Sequence, residues 1–355
     1  MTTALAAIFV LGVLVFVHEL GHFLVAKWAG IKVERFSLGF PPKMVGITIG
    51  ETEYCISWLP LGGYVKMAGE NPEDGESTGD PREFMSKSIG ARAAVIVAGP
   101  LMNFIAAILA FSLVLMFWGR PTLDTEHVLI GPVLEGSPAD SIGLRNGDVI
   151  LAVDHETVAT FEEMASRVQT RAGQSLELLW RRDGELYSAM ITPKTDTLRD
   201  SAGADSVIVG RIGVGLGYTY EPVGVLASIV EGTKQSITVT ATMFGFLGGL
   251  FSGDVSIKMV SGPVGIVRFA GTAAREGFDM LLNFMAILSV NLAILNVLPI
   301  PILDGGHLVF LAMEKLRGRP LTIRQRAIAQ QVGFALLLLL IVTVTYHDIL
   351  RLLTG

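Results

Sequence analysis

The sequence predicts a polytopic α-helical membrane protein with four transmembrane helices, a cytoplasmic membrane-associated β-hairpin and an extracytoplasmic α+β domain. Three observations carry this prediction. The chain has four apolar stretches of spanning length, Lys and Arg are concentrated in the two loops that follow the first and third stretch, and short alternating runs broken by turn residues lie between the second and third. Composition agrees, since 51% of the 355 residues are hydrophobic and only 17% charged, with a mean hydropathy of +0.55. That balance belongs to a chain shared between bilayer and water. The formal net charge of -6 has no basic block behind it, so no nucleic-acid partner is expected. Cys55 is the single cysteine, which excludes an intrachain disulfide or a cysteine-rich metal cluster and leaves His and carboxylate groups as candidate ligands.

About 20 residues rising 1.5 Å each cross a ~30 Å hydrocarbon core. Residues 5–26, 93–118, 278–298 and 327–346 meet that requirement. The first stretch lacks the basic start and the small-residue cleavage site of a signal peptide, so it is read as a span. Lys27, Lys32, Arg35, Lys43, Lys66, Lys87 and Arg92 lie between spans one and two, and Lys315, Arg317, Arg319, Arg324 and Arg326 between spans three and four. Basic short loops favour the cytoplasm. Both termini and residues 119–277 are therefore expected outside.

In the first cytoplasmic loop, Ile47-Thr48-Ile49 and Tyr54-Cys55-Ile56-Ser57-Trp58, joined by Gly50-Glu51-Thr52-Glu53, fit a β-hairpin. Outside, residues 128–193 read as a soluble domain, with strands at 149–153 and 176–180, a helix at 161–168, and Gly, Asp and Asn turns between. Residues 198–206 read as a linker. Residues 222–251 are apolar but interrupted by Glu231 and Lys234. A crossing there would put Asp304 on the face away from His22, so this segment is expected to be an amphipathic helix or re-entrant element at the outer interface. The resulting division is 1–119 with the first two spans and the hairpin, 120–196 as the soluble domain, 197–276 as linker and interfacial segment, and 277–355 with the last two spans.

His18-Glu19-Leu20-Gly21-His22 is an H-E-x-x-H sequence on a predicted helix. Histidines at i and i+4 share a face and can bind one zinc, while the Glu can act as general base toward a water that the metal activates. Three ionisable groups within five residues of a span are costly to bury and mark a functional site by default. Snorkelling of these groups at the helix end is the bland alternative. Catalytic zinc uses three protein ligands and keeps one position open. Asp304 is the candidate third ligand, in a stretch after span three where Pro299 and Pro301 break the helix. Capping of the next helix is the competing role for that Asp.

The two motifs together resemble the site-2 protease family of intramembrane zinc metalloproteases, in its bacterial regulator-of-sigma-E protease branch. That family pairs H-E-x-x-H in the first span with N-x-x-P-x-P-x-x-D-G in the third, matched here by His18, Glu19 and His22 and by Asn296, Pro299, Pro301, Asp304 and Gly305. Gly99-Pro100-Leu101-Met102-Asn103-Phe104 and Ser261-Gly262-Pro263-Val264-Gly265 extend the resemblance along the chain. It implies one Zn2+ per chain on His18, His22 and Asp304, with Glu19 as catalytic base. Asn296, with Pro299 and Pro301, would handle substrate near the scissile bond. It further implies placement in the bacterial cytoplasmic (inner) membrane, and a cytoplasmic hairpin that pairs with an unwound substrate strand. The implied substrates are transmembrane segments of other proteins, anti-sigma factors and remnant signal peptides among them.

Gly136-Ser137-Pro138-Ala139 and Gly143-Leu144-Arg145-Asn146-Gly147-Asp148-Val149-Ile150 resemble turns of bacterial PDZ domains. This makes the outer domain PDZ-like, with a peptide groove near Ile130, Gly131, Pro132 and Val133. Peptide capture and steric gating both fit such a domain. His307 fits a fourth-ligand role and a structural one equally. Gly99, Pro100 and Asn103 are read as allowing close helix packing. A proteolytically silent PDZ scaffold would not need the costly intramembrane groups, and a metal transporter suits a base beside two ligands poorly.

Overall fold

Among the described residues four helices are long and apolar enough to cross a bilayer, and the expected stretches coincide with them to within a few residues. In the computed structural model, which describes residues 2–70, 79–123, 127–199 and 206–354, these helices are α1 (Thr2–Trp28), α2 (Ile89–Trp118), α7 (Phe278–Val297) and α9 (Ile323–Thr354). The chain divides into two compact units, Met1–Phe117 with Gly224–Gly355, and Trp118–Val223.

In the first unit small residues let the spans approach. At Gly21 of α1 a Cβ would come within 2.3 Å of the Ala98 carbonyl oxygen of α2, a contact that only glycine permits. Ala286 and Val290 of α7 are fully buried against Ala110, Phe111 and Ala107 of α2. The Ser289 hydroxyl of α7 donates to the Asn103 carbonyl of α2 at 2.7 Å. Ala6, Val10 and Leu14 of α1 pack against Ala270 and Ala273 of α6 (Pro263–Glu276).

The segment interrupted by Glu231 and Lys234 forms α5 (Val225–Ser252). The two charges pair with each other at 3.1 Å, and the Ser228, Thr233, Ser236, Thr240 and Thr242 hydroxyls donate to carbonyls one turn back. Polar groups satisfied within the helix can be buried without further partners. Gly232 sits on Ser112 and Ile108 of α2, while Val239, Met243 and Leu247 pack against Ala107, Val290 and Ile294. The chain then comes back to the N-terminal end of α1 and the C-terminal end of α9, where α6 meets Thr3 and Asp348. Within the first unit α5 thus packs along α2 and α7.

The loop after α1 forms strands β1 (Val33–Ile49) and β2 (Thr52–Met67). The hairpin tip pairs Ile49 with Thr52 and Ile47 with Tyr54, so the turn is Gly50-Glu51. Both strands fold over, however, and Arg35 to Leu38 pair on one side with Lys66 to Gly63 and on the other with Glu53 to Ile56. The result is a four-ribbon sheet with 43–49 and 59–67 at its edges. The inner half of β1 is buried, whereas Phe40, Val45, Ile47, Ile49, Trp58 and Leu59 are exposed, an apolar surface of the kind that meets lipid or partners.

After α7, Pro299 and Pro301 lack the N–H groups that helix continuation needs. The Leu303 N–H donates to the Ile300 carbonyl at 2.8 Å and closes the turn. Then α8 (Asp304–Arg317) begins. Gly305 and Gly306 lie under that turn, where a Cβ would come within 2.2 and 2.3 Å of backbone oxygens of Leu298 and Ile300. Arg92 at the start of α2 grips Glu314 of α8 through both carboxylate oxygens, at 2.5 and 3.1 Å.

The second unit holds β3 (Arg120–Leu123), β4 (Val128–Val133), α3 (Pro138–Ser141), β5 (Val149–Val153), β6 (Glu156–Thr157), α4 (Phe161–Gln169), β7 (Leu176–Arg182), β8 (Glu185–Ile191), β9 (Lys194–Arg199), β10 (Ser206–Arg211), β11 (Val214–Leu216) and β12 (Tyr218–Glu221). The main sheet runs β11-β4-β5-β7-β8, with β6 beside β5. Ile130, Ile150, Leu176, Leu178 and Trp180 pack under Met164 and Val168 of α4. Asp148 explains the Gly-Asp turn, since its buried carboxylate accepts from the Arg145 N–H at 2.8 Å and is gripped by Arg182 at 2.7 Å. Residues 200–205 of the expected linker lie outside the described residues, and its flanks belong to the paired strands β9 and β10.

Candidate metal centre

His18 and His22 lie one turn apart on α1, and Asp304 is the first residue of α8. Their side chains converge. The two Nε2 atoms are 3.2 Å apart, His18 Nε2 is 3.2 Å from Asp304 Oδ2, and His22 Nε2 is 3.6 Å from Asp304 Oδ1. Ligands about 2.0 to 2.1 Å from one tetrahedral zinc stand roughly 3.3 Å from each other. The three side chains therefore fit one zinc. Asp304 Oδ2 is buried and accepts no hydrogen bond, because its approach to His18 is not aligned as one. A buried carboxylate oxygen without a donor is costly, and a cation would satisfy it.

Neighbouring groups select the ring nitrogens. His22 Nδ1–H donates to the Val95 carbonyl at 2.8 Å, which leaves the Nε2 lone pair facing the cluster. The Asn103 side-chain nitrogen Nδ2 lies 3.3 Å from His18 Nδ1. Asn103 Oδ1 has no partner; a half-turn of the amide exchanges the two atoms, and His18 Nδ1–H then donates to Oδ1. Gly99 completes the cradle, since a Cβ there would lie 2.3 Å from His22 Nε2 and 2.8 Å from His18 Cε1.

A cavity of about 320 Å³ opens on this cluster, lined by Glu19, Tyr64, Val65, His307 and Arg326 as well as the three candidate ligands. Glu19 lies beside the edge ribbon of β2, whose Val65 N–H bonds to its carboxylate. A Cβ on Gly63 would come within 3.1 Å of Glu19 Cγ. Burial holds the His307 imidazole below its ordinary range, with the nearby Asp304 carboxylate opposing that shift and Arg326 adding to it. His307 is therefore neutral near pH 7.

The arrangement is that of a metal-dependent hydrolase with a carboxylate base, set in apolar helices. The sequence profile of peptidase family M50 matches residues 6–340. The chain belongs to peptidase family M50. It is 35% identical to a putative zinc metalloprotease of Rhizobium meliloti over 96% of this chain and 95% of the relative. It is 33% identical to the zinc metalloprotease RasP of Oceanobacillus iheyensis over 99% and 100%, and 37% identical to a putative zinc metalloprotease of Mesorhizobium japonicum over 98% of each. This M50 chain is thus a zinc metalloprotease of the site-2 type, with Zn2+ as its cofactor. Part of the chain, 27%, aligns with 90% of the PDZ domain of an SdrC-like protein from Listeria monocytogenes at 19% identity and a TM-score of 0.21.

Other residues singled out in the sequence lie away from this cluster. Asn296 lies in the last turn of α7 and, with Pro299 and Pro301, stands outside the residues lining the cavity. Pro301 instead packs toward Gly333 of α9. Ile130 to Val133 form β4, an interior strand whose neighbours are β5 and β11. An added peptide strand would have to join at an edge, and β11 and β8 are the edges of that sheet. Asn103 and Gly99 are the residues whose part in the centre the sequence concealed. Both sit in the Gly99-Pro100-Leu101-Met102-Asn103 stretch, where spacing alone speaks only of packing.

Proposed function

We propose that this M50 protease hydrolyses peptide bonds within transmembrane segments of other membrane proteins, with His18, His22 and Asp304 holding the zinc and Glu19 acting as base. One observation carries the reading: the candidate ligands and Glu19 converge on one cavity although His18, Glu19 and His22 belong to a spanning helix. When bound, zinc supplies the Lewis acidity that makes water nucleophilic near neutral pH and polarises a peptide carbonyl. Glu19 takes the proton from the attacking water and passes it to the leaving amine, as a carboxylate at hydrogen-bond reach can. His22 is held in the required tautomer by Val95 and His18 by Asn103.

A helical substrate hides its peptide bonds in its own hydrogen bonds and has to be opened. The ribbon 59–67 is an edge of its sheet and lies beside Glu19, so the opened segment adds to it as a strand. Asn296 then holds the substrate on the far side of the Pro299–Pro301 turn. Loop charge supports a four-span topology in the bacterial inner membrane with both termini and the PDZ-like domain outside and α5 re-entrant. In that topology residues 120–196 restrict which substrates reach the site. Anti-sigma factors and remnant signal peptides are the substrate classes this reading proposes. Comparative membrane proteomics of cells carrying wild type or Glu19→Gln tests it. Fragments that accumulate only with the variant would name the substrates, and their complete absence would count against the reading.

A further inference from the structure

The cavity carries a positive charge that peptide hydrolysis by Glu19 and zinc does not use. Arg326, near the start of α9, lines it together with Ala327 and Gln330. Its Nε is buried and meets no hydrogen-bond acceptor among the described residues. Its Nη1 lies 4.0 Å from Met85 Sδ, and a thioether is a weak acceptor. The carboxylate at this corner is already committed, because Arg92 takes both oxygens of Glu314 at 2.5 and 3.1 Å. Two guanidinium groups therefore share one carboxylate, and Arg326 is the one left over. A buried donor without an acceptor is costly, more so when it is charged, and calls for an explanation.

We infer that Arg326 is a specificity-determining residue whose guanidinium receives an acidic side chain of the substrate close to the scissile bond. A carbonyl would satisfy one N–H, whereas a carboxylate matches the planar fork with two bonds and also neutralises the charge. The helix face agrees. Positions 326, 327 and 330 line the cavity together, so the small Ala327 leaves room and the Gln330 amide can donate to the same carboxylate. An extended peptide advances roughly 3.3 Å per residue, and the cavity measures about 320 Å³. The acidic residue thus belongs within two or three positions of the cut. The inference rests on the intramembrane peptidase reading of this site.

The test uses the full-length zinc-loaded enzyme in detergent and single-span peptides that differ only by Asp, Asn or Lys at each position flanking the cut. For wild type, one position is expected at which Asp lowers KM about tenfold relative to Asn, the scale of a charged hydrogen bond, with kcat little changed. Arg326→Gln should bring the Asp-to-Asn ratio near one, and Arg326→Glu should invert the preference toward Lys. Equal discrimination in wild type and Arg326→Gln would overturn the inference. So would the lack of an Asp preference at every position, or a KM rise in Arg326→Gln that is equal for all three peptides and comes with a lowered melting temperature. Binding of the same peptides to Glu19→Gln enzyme reads the preference without turnover. Failure of cleavage, which would count against the peptidase reading, is thereby kept apart from failure of the charge preference.

Discussion

Replacing Gly99 by alanine separates the fold from the metal centre. The new Cβ would stand 2.3 Å from His22 Nε2 and 2.8 Å from His18 Cε1, where ordinary contacts are 3.4 to 4 Å. Helical backbone favours alanine over glycine by roughly 0.5 to 1 kcal/mol, so α2 itself accepts the change. The conflict falls on the imidazoles. His22 Nε2 has to recede by roughly 1 Å to regain an ordinary contact, several times the ~0.2 Å by which metal–ligand distances vary. It cannot swing freely, because its Nδ1–H is held on the Val95 carbonyl at 2.8 Å. The expected variant is folded, with a melting temperature close to wild type, while its zinc affinity falls by at least about 10-fold to 100-fold, the range for losing a supporting contact. Chelator competition measures the affinity and thermal unfolding in detergent the stability. Wild-type zinc affinity and kcat/KM in Gly99→Ala would refute the reasoning.

Asn103→Ala removes the side-chain amide that meets His18 Nδ1, so zinc affinity should fall about 10-fold to 100-fold while a Leu substitution at exposed Val97 leaves it unchanged; chelator competition again decides. At the tip of the β1–β2 sheet, Lys27 and then Arg82 hold the Glu51 carboxyl down to about 2 from 4.5. A depressed carboxylate stabilises above its unfolded value and loses that contribution as pH falls from 4.5 toward 2. Protection of the amides at residues 47–54, taken relative to the intrinsic exchange rate at each pH, should therefore fall through that window in wild type and stay flatter in Glu51→Gln, with the difference shrinking at high salt because the pair is exposed. Replacing the second unit, Trp118–Val223, by a short linker should leave cleavage of an already shortened substrate intact and relax discrimination against substrates with bulky outer domains, as compared by kcat/KM. The whole unit has to go, since β11 and β12 complete sheets begun by β4 and β3.

The metal cluster was legible because its chemistry is compressed: His18, Glu19 and His22 span five residues, and Pro299, Pro301 and Asp304 announce a broken helix ending in an acid. The tip of the β-hairpin was legible from alternation about Gly50-Glu51. Its folding into four ribbons was not, because the pairing of Arg35 with both Lys66 and Glu53 is non-local and leaves no period in the sequence. Asn103 reads as a packing residue in sequence because its partner His18 is 85 positions away. The strands β9 to β12 escaped for a related reason, being short and, for β12, paired with β3 across 97 residues. Glu231 and Lys234 argue against a crossing, but that they pair with each other on an exposed face while Val239, Met243 and Leu247 pack on the spans shows only in three dimensions.

The central claim is that Glu19 performs the proton transfers of a peptide cut made inside a spanning segment while His18, His22 and Asp304 hold the zinc. The most direct measurement is cleavage of a purified single-span substrate by wild type and by Glu19→Gln, with zinc content determined on the same samples and the cut mapped by mass spectrometry. The account predicts one zinc per chain in both proteins, a cut within the apolar segment by wild type, and a rate about 100-fold to 10,000-fold lower in the variant, the range for removing a general base. A zinc-loaded Glu19→Gln enzyme that cuts the same bond at near the wild-type rate would contradict it.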